Sequence, residues 1–207
     1  YVPPLRKGQE KELMHSPSLE YCKRKMWLAE DESGEVVGRI CAMISTRYNE
    51  KYGTRRVRFG WFDLIDDVRV GKLLMEAAES WAKSCGMEEI HGPLSYNTLG
   101  RQGMLVEGFD KLAPFSCLYN YPYYVDMMKE LGFEKECDWL QYKLVANHGV
   151  PDKARRVAKL VEERYNLRFI SIDKLKKDTE MVRKFFRLYN DSFAQTVYNF
   201  IPLTEEE

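Results

Sequence analysis

The two residue types most often recruited as nucleophiles and metal ligands are present: five cysteines (Cys22, Cys41, Cys85, Cys117, Cys137) and three histidines (His15, His91, His148). Their spacing points away from that use. The cysteines are odd in number, scattered and without a CxxC pair, and the histidines lie far apart. A zinc site and a disulfide framework are both disfavoured, and a reducing cytoplasm fits best. Other groups with chemical potential are Asp66-Asp67, Tyr123-Tyr124, and the stretch Ser95 to Ser116, where Gly100, Gly103 and Gly108 stand among Arg101, Glu107 and Asp110. The two aspartates read first as a helix cap, since Asp is strongly preferred there. At least one of the two tyrosines is expected to pack its helix on a sheet. The glycine-rich stretch lacks the strand-loop-helix context of a nucleotide loop. It reads as a lid or acceptor-site loop, with an irregular buried connector as the alternative. His91, among apolar neighbours, reads as a satisfied structural side chain. Trp27, Trp61, Trp81 and Trp139 read as core or pocket wall rather than as a stacking platform for bases.

The elements that must position these groups follow from periodicity. Met26 to Glu30 and Val36 to Ser45 are apolar runs joined by the turn Asp31-Glu-Ser-Gly34, a hairpin pattern. Arg47 to Arg56 suits a surface connection. Val57 to Ile65 is a third strand, with Gly60 marking a bulge or a close backbone approach. Asp66 or Asp67 then caps a helix that closes at Gly86. Its apolar stripe is Val70, Leu73, Leu74, Ala77, Ala78, Trp81, Ala82 and Cys85. Glu88 to Leu94 is a short strand, so strand, helix and strand form a parallel crossover. Pro122 to Leu131 is a short helix, and Phe133 to Cys137 and Leu140 to Val145 read as closing strands. Beyond them come a charged amphipathic helix from Pro151 to Tyr165, a strand from Leu167 to Ile172, and a helix from Thr179 to Phe193 with Val182, Phe185, Phe186 and Tyr189 inward. Residues 1 to 20 read as loop with a short helix.

Bulk properties narrow the partners. Lys plus Arg and Asp plus Glu are both 32, so the formal net charge is zero and nothing draws the whole chain to nucleic acid or an anionic membrane. No apolar run is long enough to span a bilayer. The opening Tyr1-Val-Pro-Pro and the closing Thr204-Glu-Glu-Glu207, whose ends have capping-box spacing, read as the limits of an excerpt from a longer protein.

Two stretches, Leu73-Leu-Met-Glu-Ala-Ala-Glu-Ser-Trp-Ala-Lys-Ser-Cys-Gly86 and Pro122-Tyr-Tyr-Val-Asp-Met-Met-Lys-Glu-Leu-Gly-Phe133, resemble the pyrophosphate helix and the late tyrosine-bearing helix of the GNAT superfamily of acyl-CoA N-acyltransferases. More narrowly, His91-Gly-Pro-Leu, Gly103-Met-Leu-Val-Glu-Gly-Phe-Asp110 and Tyr119-Asn-Tyr-Pro-Tyr-Tyr124 resemble a poorly characterised bacterial GNAT-like group whose members tend to carry a second GNAT-like half. The resemblance implies a mixed α/β (α+β) fold with a mostly antiparallel sheet, flanking helices and a parallel crossover at the ligand cleft. It implies one domain over residues 1–146, and over 147–207 a linker helix with the start of a second domain.

For activity, the resemblance implies transfer of an acyl group from acetyl-CoA or another acyl-CoA to a small-molecule or peptide amine; the charge balance and the cysteine and histidine spacing add the expectation of no nucleic acid or membrane partner and no metal. By position, Tyr124 or Tyr123 would protonate the leaving thiolate, and Asp63 or Glu107 would be the base. Leu64 and Ile65 would offer backbone amides to the oxyanion, and with Val68, Arg69, Val70 and Gly71 would form the cofactor loop. The chain departs from the family there. Ile65, Val68 and Val70 occupy the positions of the family's Gln/Arg-x-x-Gly-x-Gly/Ala loop, Gly71 lies one residue out of register, and Asp66 and Asp67 bring carboxylates to where phosphate would lie. The alternatives are a non-catalytic or differently liganded GNAT-like module, and an aminoacyl- or peptidyl-type transferase taking charged tRNA.

Overall fold

A computed structural model of the chain describes residues 4–113, 117–145 and 149–207. One compact unit comprises the described residues up to Glu136 together with Phe193–Glu207; the other is Cys137–Ser192. The expected domain boundary at 146/147 falls outside the described residues, as does His148.

The first unit is built on a four-stranded sheet in the order β1-β2-β3-β4, with β1 Cys22–Glu30, β2 Val36–Ser45, β3 Arg56–Leu64 and β4 Glu89–His91. The first three strands pair antiparallel, and β3 with β4 parallel, through the crossover helix α3 Val68–Ser84. This is the mixed α/β layout expected from the sequence. The β1-β2 hairpin closes where Asp31 accepts the N–H groups of Ser33 and Glu35. Strand β2 shows why its sequence is apolar throughout: Ile40, Ala42 and Ile44 belong to the core on one face of the sheet, Cys41 and Met43 to the core on the other.

Helices α3 and α4 (Tyr123–Glu130) cover the first face. The stripe α3 buries is Gly71, Leu74, Met75, Ala78 and Ala82; of the expected stripe, Leu73 and Cys85 point to solvent. Close approach explains two glycines. A Cβ at Gly38 would lie 2.9 Å from Val70 and 3.0 Å from Leu74, and one at Gly71 would lie 3.2 Å from both Leu131 and Met127. Trp27 and Trp81 meet edge-on at 6.1 Å beside this core, whereas Trp139, in the second unit, is exposed.

The second face is closed by a 3₁₀ turn at Pro17–Glu20, by Tyr96, and by the segment from Asn199 onward. Phe200 and Ile201 are fully buried. Tyr48 Oη donates to Asn199 Oδ1 at 2.6 Å, and Ile201 N donates to Thr98 Oγ1 at 3.0 Å. Thr204 and Glu207 make the reciprocal bonds of a capping box, and the Glu207 carboxylate accepts from Ser18, from Tyr21 at 2.7 Å and from Asn97 at 2.8 Å. Burial works against that charge, but these donors outweigh it and hold the carboxyl below its ordinary range.

The short helix expected in the opening segment is α1, Arg6–His15. Other elements differ from the sequence expectation. In place of a surface connection stands α2, Thr46–Tyr52, capped by Ser45, ended by left-handed Gly53 and anchored by buried Tyr48. Strand β4 ends at His91 rather than Leu94. Residues 133–145 and 167–171 form no ladder among the described residues; the first of them touches the sheet through side chains, Phe133 against Phe59 and Glu136 on Arg56. The second unit consists of α5 Asp152–Tyr165, α6 Ile172–Leu175 and α7 Thr179–Phe193. Among the described residues none in α7 is buried, and Phe185, Phe186 and Tyr189 meet edge to face along it.

Candidate functional site

The site begins at an irregularity in β3. Arg39 pairs with Asp63 and Cys41 with Gly60, so Trp61 and Phe62 together stand opposite Ile40. This is a bulge, as Gly60 suggested, and Trp61 adopts φ +46°, a conformation that bulky side chains rarely take. Gly60 itself serves the close approach: a Cβ there would lie 2.2 Å from the Leu94 carbonyl oxygen. Leu94 N donates to Phe59 O at 2.7 Å, and beyond that bond β3 and the chain following β4 part.

A cavity of about 450 Å³ opens where they part. Its walls are Gly60–Asp63 from β3, Pro93–Ser95 after β4, Tyr124 from α4, Gln9 and Glu12 from α1, and the loop carrying Arg101, Met104 and Phe109–Ala113. The volume is in the range of small-molecule sites. The loop is the irregular stretch singled out in the sequence, and it lines the cavity; its residues 114–116 lie outside the description. It is tied down by Asn120, whose Oδ1 accepts Leu105 N at 2.7 Å while its Nδ2 donates to Leu105 O at 3.1 Å. Asn97 adds a second tie, accepting the N–H of Leu99 and of Gly100.

Of the expected catalytic residues, Asp63 and Tyr124 line this cavity, and Tyr123 and Glu107 do not. Asp63 is paired with Arg39, whose Nε and Nη2 both reach Oδ2, at 2.8 and 2.7 Å. The tyrosines hold both backbone groups of Leu64: Leu64 N donates to Tyr124 Oη at 2.9 Å, and Leu64 O accepts from Tyr123 Oη at 2.6 Å and from Tyr124 Oη at 3.3 Å. Burial raises both phenol pKa values, so both stay protonated at neutral pH. Glu107 is exposed.

The amides expected to serve an oxyanion are already engaged, Leu64 N with Tyr124 and Ile65 N with Val37 O at 3.0 Å. The α3 N-terminus is likewise closed. The Asp67 side chain accepts Arg69 N at 2.9 Å and holds the Arg69 guanidinium at 2.6 Å, which keeps its carboxyl below the usual range. Val70 N and Gly71 N donate to Asp67 O. Gly71 serves helix packing, and Val68 packs against the core. Residues 64–71 therefore do not fit a diphosphate: the N–H groups of Leu64, Ile65, Asp67, Arg69, Val70 and Gly71 are used internally, and a carboxylate sits where phosphate oxygens would.

Sequence reasoning missed Arg39, Glu12 and Ser95, and also Arg58, which is buried opposite His91. Arg58 is 1% exposed; its guanidinium donates to Ser95 O at 3.2 Å and Asn199 O at 3.4 Å and lies 4.5 Å from the Tyr48 ring. His91 is structural as expected but not satisfied, since neither ring nitrogen has a hydrogen-bond partner. Burial, then the Arg58 charge, lowers its pKa to about 3, so the 3.9 Å contact with Glu136 is no ion pair at neutral pH. Among the described residues no group of His, Cys, Asp and Glu is arranged to hold a metal, and no helix is long and apolar enough to cross a membrane.

No family model matches the chain. It is 31% identical over 209 residues to Protein YghO of Escherichia coli, covering all of this chain and 52% of that protein. It is 29% identical over 195 residues to a bacterial ceramide synthase of Caulobacter vibrioides, covering 93% of this chain and 49% of the relative. The chain thus spans about half the length of the curated relatives it matches. Among solved structures, a Pyrococcus furiosus protein described as an acetyl transferase aligns at 15% identity with a TM-score of 0.40, over 69% of this chain and 82% of its own. A Bacillus cereus acetyltransferase aligns at 14% with a TM-score of 0.27, over 44% and 68%. Both scores are too low to carry weight, and the fold rests on the topology described above.

Proposed function

We propose that this chain belongs to an N-acyltransferase that moves an acyl group from a thioester to an amine held in the β3-β4 cavity. The observation that carries the reading is the cavity itself: it opens at a strained bulge in the central strand, is walled largely by apolar side chains, and receives both Asp63 and Tyr124. The relative named a ceramide synthase supports it, since ceramide is the product of joining an acyl chain to an amine. A GNAT-like fold, a small-molecule or peptide amine as acceptor and an acyl-CoA as donor belong to this proposal. So does a second GNAT-like half beginning near residue 147, supported by relatives about twice as long.

In this reading the amine attacks the thioester carbonyl, the C–N bond forms and the C–S bond breaks. Tyr124 gives its proton to the departing sulfur and recovers one from the nitrogen. The engaged Leu64 and Ile65 amides favour one second reading, a GNAT-like module that binds without catalysis.

Thiol release from acyl-CoAs of graded chain length, with an amine panel and the full-length protein, separates the two. Turnover supports the enzyme; thermal stabilisation without turnover supports the binding module. At a hundred times its dissociation constant a ligand adds about 2.7 kcal/mol. If neither is seen with any thioester, acyl transfer by this domain is rejected. Tyr124→Phe is expected to lower kcat about 100-fold with little change in donor affinity.

A further inference from the structure

Three carboxylates line the cavity: Glu12, Asp63 and Asp110. Asp63 already holds the Arg39 guanidinium, and Asp110 stands beside Lys111 in sequence on the exposed part of the loop. Glu12 differs. It projects from α1, is half-buried, and its two oxygens meet neutral donors: Ser95 Oγ at 3.2 Å on Oε1 and Gln9 Nε2 at 3.4 Å on Oε2. Among the described residues it forms no ion pair. Arg39, Arg101 and Lys111 line the same cavity, but among the described residues none of them pairs with Glu12, whose carboxylate meets hydroxyl and amide donors alone at the edge of a largely apolar space. Such a site is complementary to a cation with an apolar body. Ser95 sets its location, since it follows β4 at the point where the strands part and its hydroxyl is donated to Glu12.

We infer that Glu12 receives the acceptor's ammonium group and takes its first proton. This rests on the acyl-transfer reading above. The protonated amine R–NH3⁺ gives one proton to the Glu12 carboxylate and becomes R–NH2. The freed lone pair forms the C–N bond, C–S breaks, and the second nitrogen proton replaces the one that the departing sulfur receives. Ser95 and Gln9 are positioning residues: each fixes one carboxylate oxygen and neither needs to touch the amine.

The test uses the full-length protein and two probes of equal length, octylamine and 1-octanol. Binding is read as a change in Trp61 fluorescence, with Trp61→Phe as the control that assigns the signal to the cavity. Glu12→Gln, which keeps shape and removes charge, is expected to weaken octylamine about 10-fold or more and leave octanol unchanged. In thiol release with octylamine as acceptor, the same variant is expected to lose about 100-fold or more in kcat/KM. Glu12→Asp is expected to recover part of both.

Equal effects on the two probes, or none on either, would overturn the assignment. So would unchanged kcat/KM in Glu12→Gln when the unmutated protein turns over, and acyl transfer would then stand with another base. If the unmutated protein releases no thiol with any thioester, acyl transfer and the proton step both fail. The two probes still decide whether Glu12 is a cation site. Should Glu12→Gln fold poorly by circular dichroism, Ser95→Ala reads the same selectivity through the lost Oε1 contact.

Discussion

His91 is the side chain whose burial makes the sharpest demand on solution conditions. It is 7% exposed, and its pKa falls from 6.5 to about 3 because burial and the Arg58 charge oppose protonation. In the unfolded chain the imidazole binds a proton below pH 6.5, while in the folded protein it does not until about pH 3. The unfolded state therefore binds more protons in that window, and stability falls as pH drops from 6.5 towards 3. Urea denaturation at pH 7 and pH 4.5 should show a loss on the order of a few kcal/mol. In His91→Gln the part of that loss due to His91 should vanish. An unchanged pH dependence in the variant would place the acid sensitivity at another group; the depressed Glu207 carboxyl costs stability only below its ordinary pKa of 4.5, under the window compared. At the same scale, Tyr124→Phe removes the acceptor of the Leu64 N–H, and an orphaned buried amide costs about 1–3 kcal/mol. Its activity loss must accordingly be measured well below its unfolding temperature.

The β3-β4 pair and the α3 N-terminus are where elements decide the site. Gly60→Ala drives a methyl group against the Leu94 carbonyl, and backbone there cannot swing aside as a side chain would. The variant is expected to lose about 1–3 kcal/mol and to widen the gap between the strands, read as lower thermal stability together with altered octanol binding. Stability equal to the parent would mean the strands are not held as closely as described. Asp67→Ala removes the cap of α3 and frees Arg69. A lower unfolding midpoint is expected, with thioester affinity unchanged, because the carboxylate serves the helix rather than a ligand. If the donor's diphosphate lay on this helix end, removing the negative charge would tighten binding instead, and a titration of acyl-CoA against the variant distinguishes the two.

Across the whole chain, the least expected feature is the return of Asn199–Glu207 to the first unit. Ile201 is fully buried against Tyr96 and the β1-β2 face, so Ile201→Ala is expected to cost about 2–5 kcal/mol, measured by denaturant unfolding of the first unit's signal. A cost below about 1 kcal/mol would show that this segment docks only loosely. Much of the fold was legible beforehand, and for a local reason: periodicity and caps are properties of neighbouring residues. The apolar run of Val36 to Ser45, the glycine inside β3 and the Asp67 cap each act within a turn or a strand, and each appeared where expected. Cavity residues Asp63 and Tyr124 were legible from their place on the central strand and in the late helix. Glu12 was not, because a glutamate in a polar, weakly amphipathic helix carries no sign of what the helix covers. Nor was the fate of 133–145, since a strand exists only if an edge is there to pair with it. Local chemistry in the sequence therefore determined which segments coil, extend and turn. Tertiary structure alone decided which carboxylates are paired, which amides are spent and which distant segment closes the core, because those depend on neighbours that only folding brings within bonding distance.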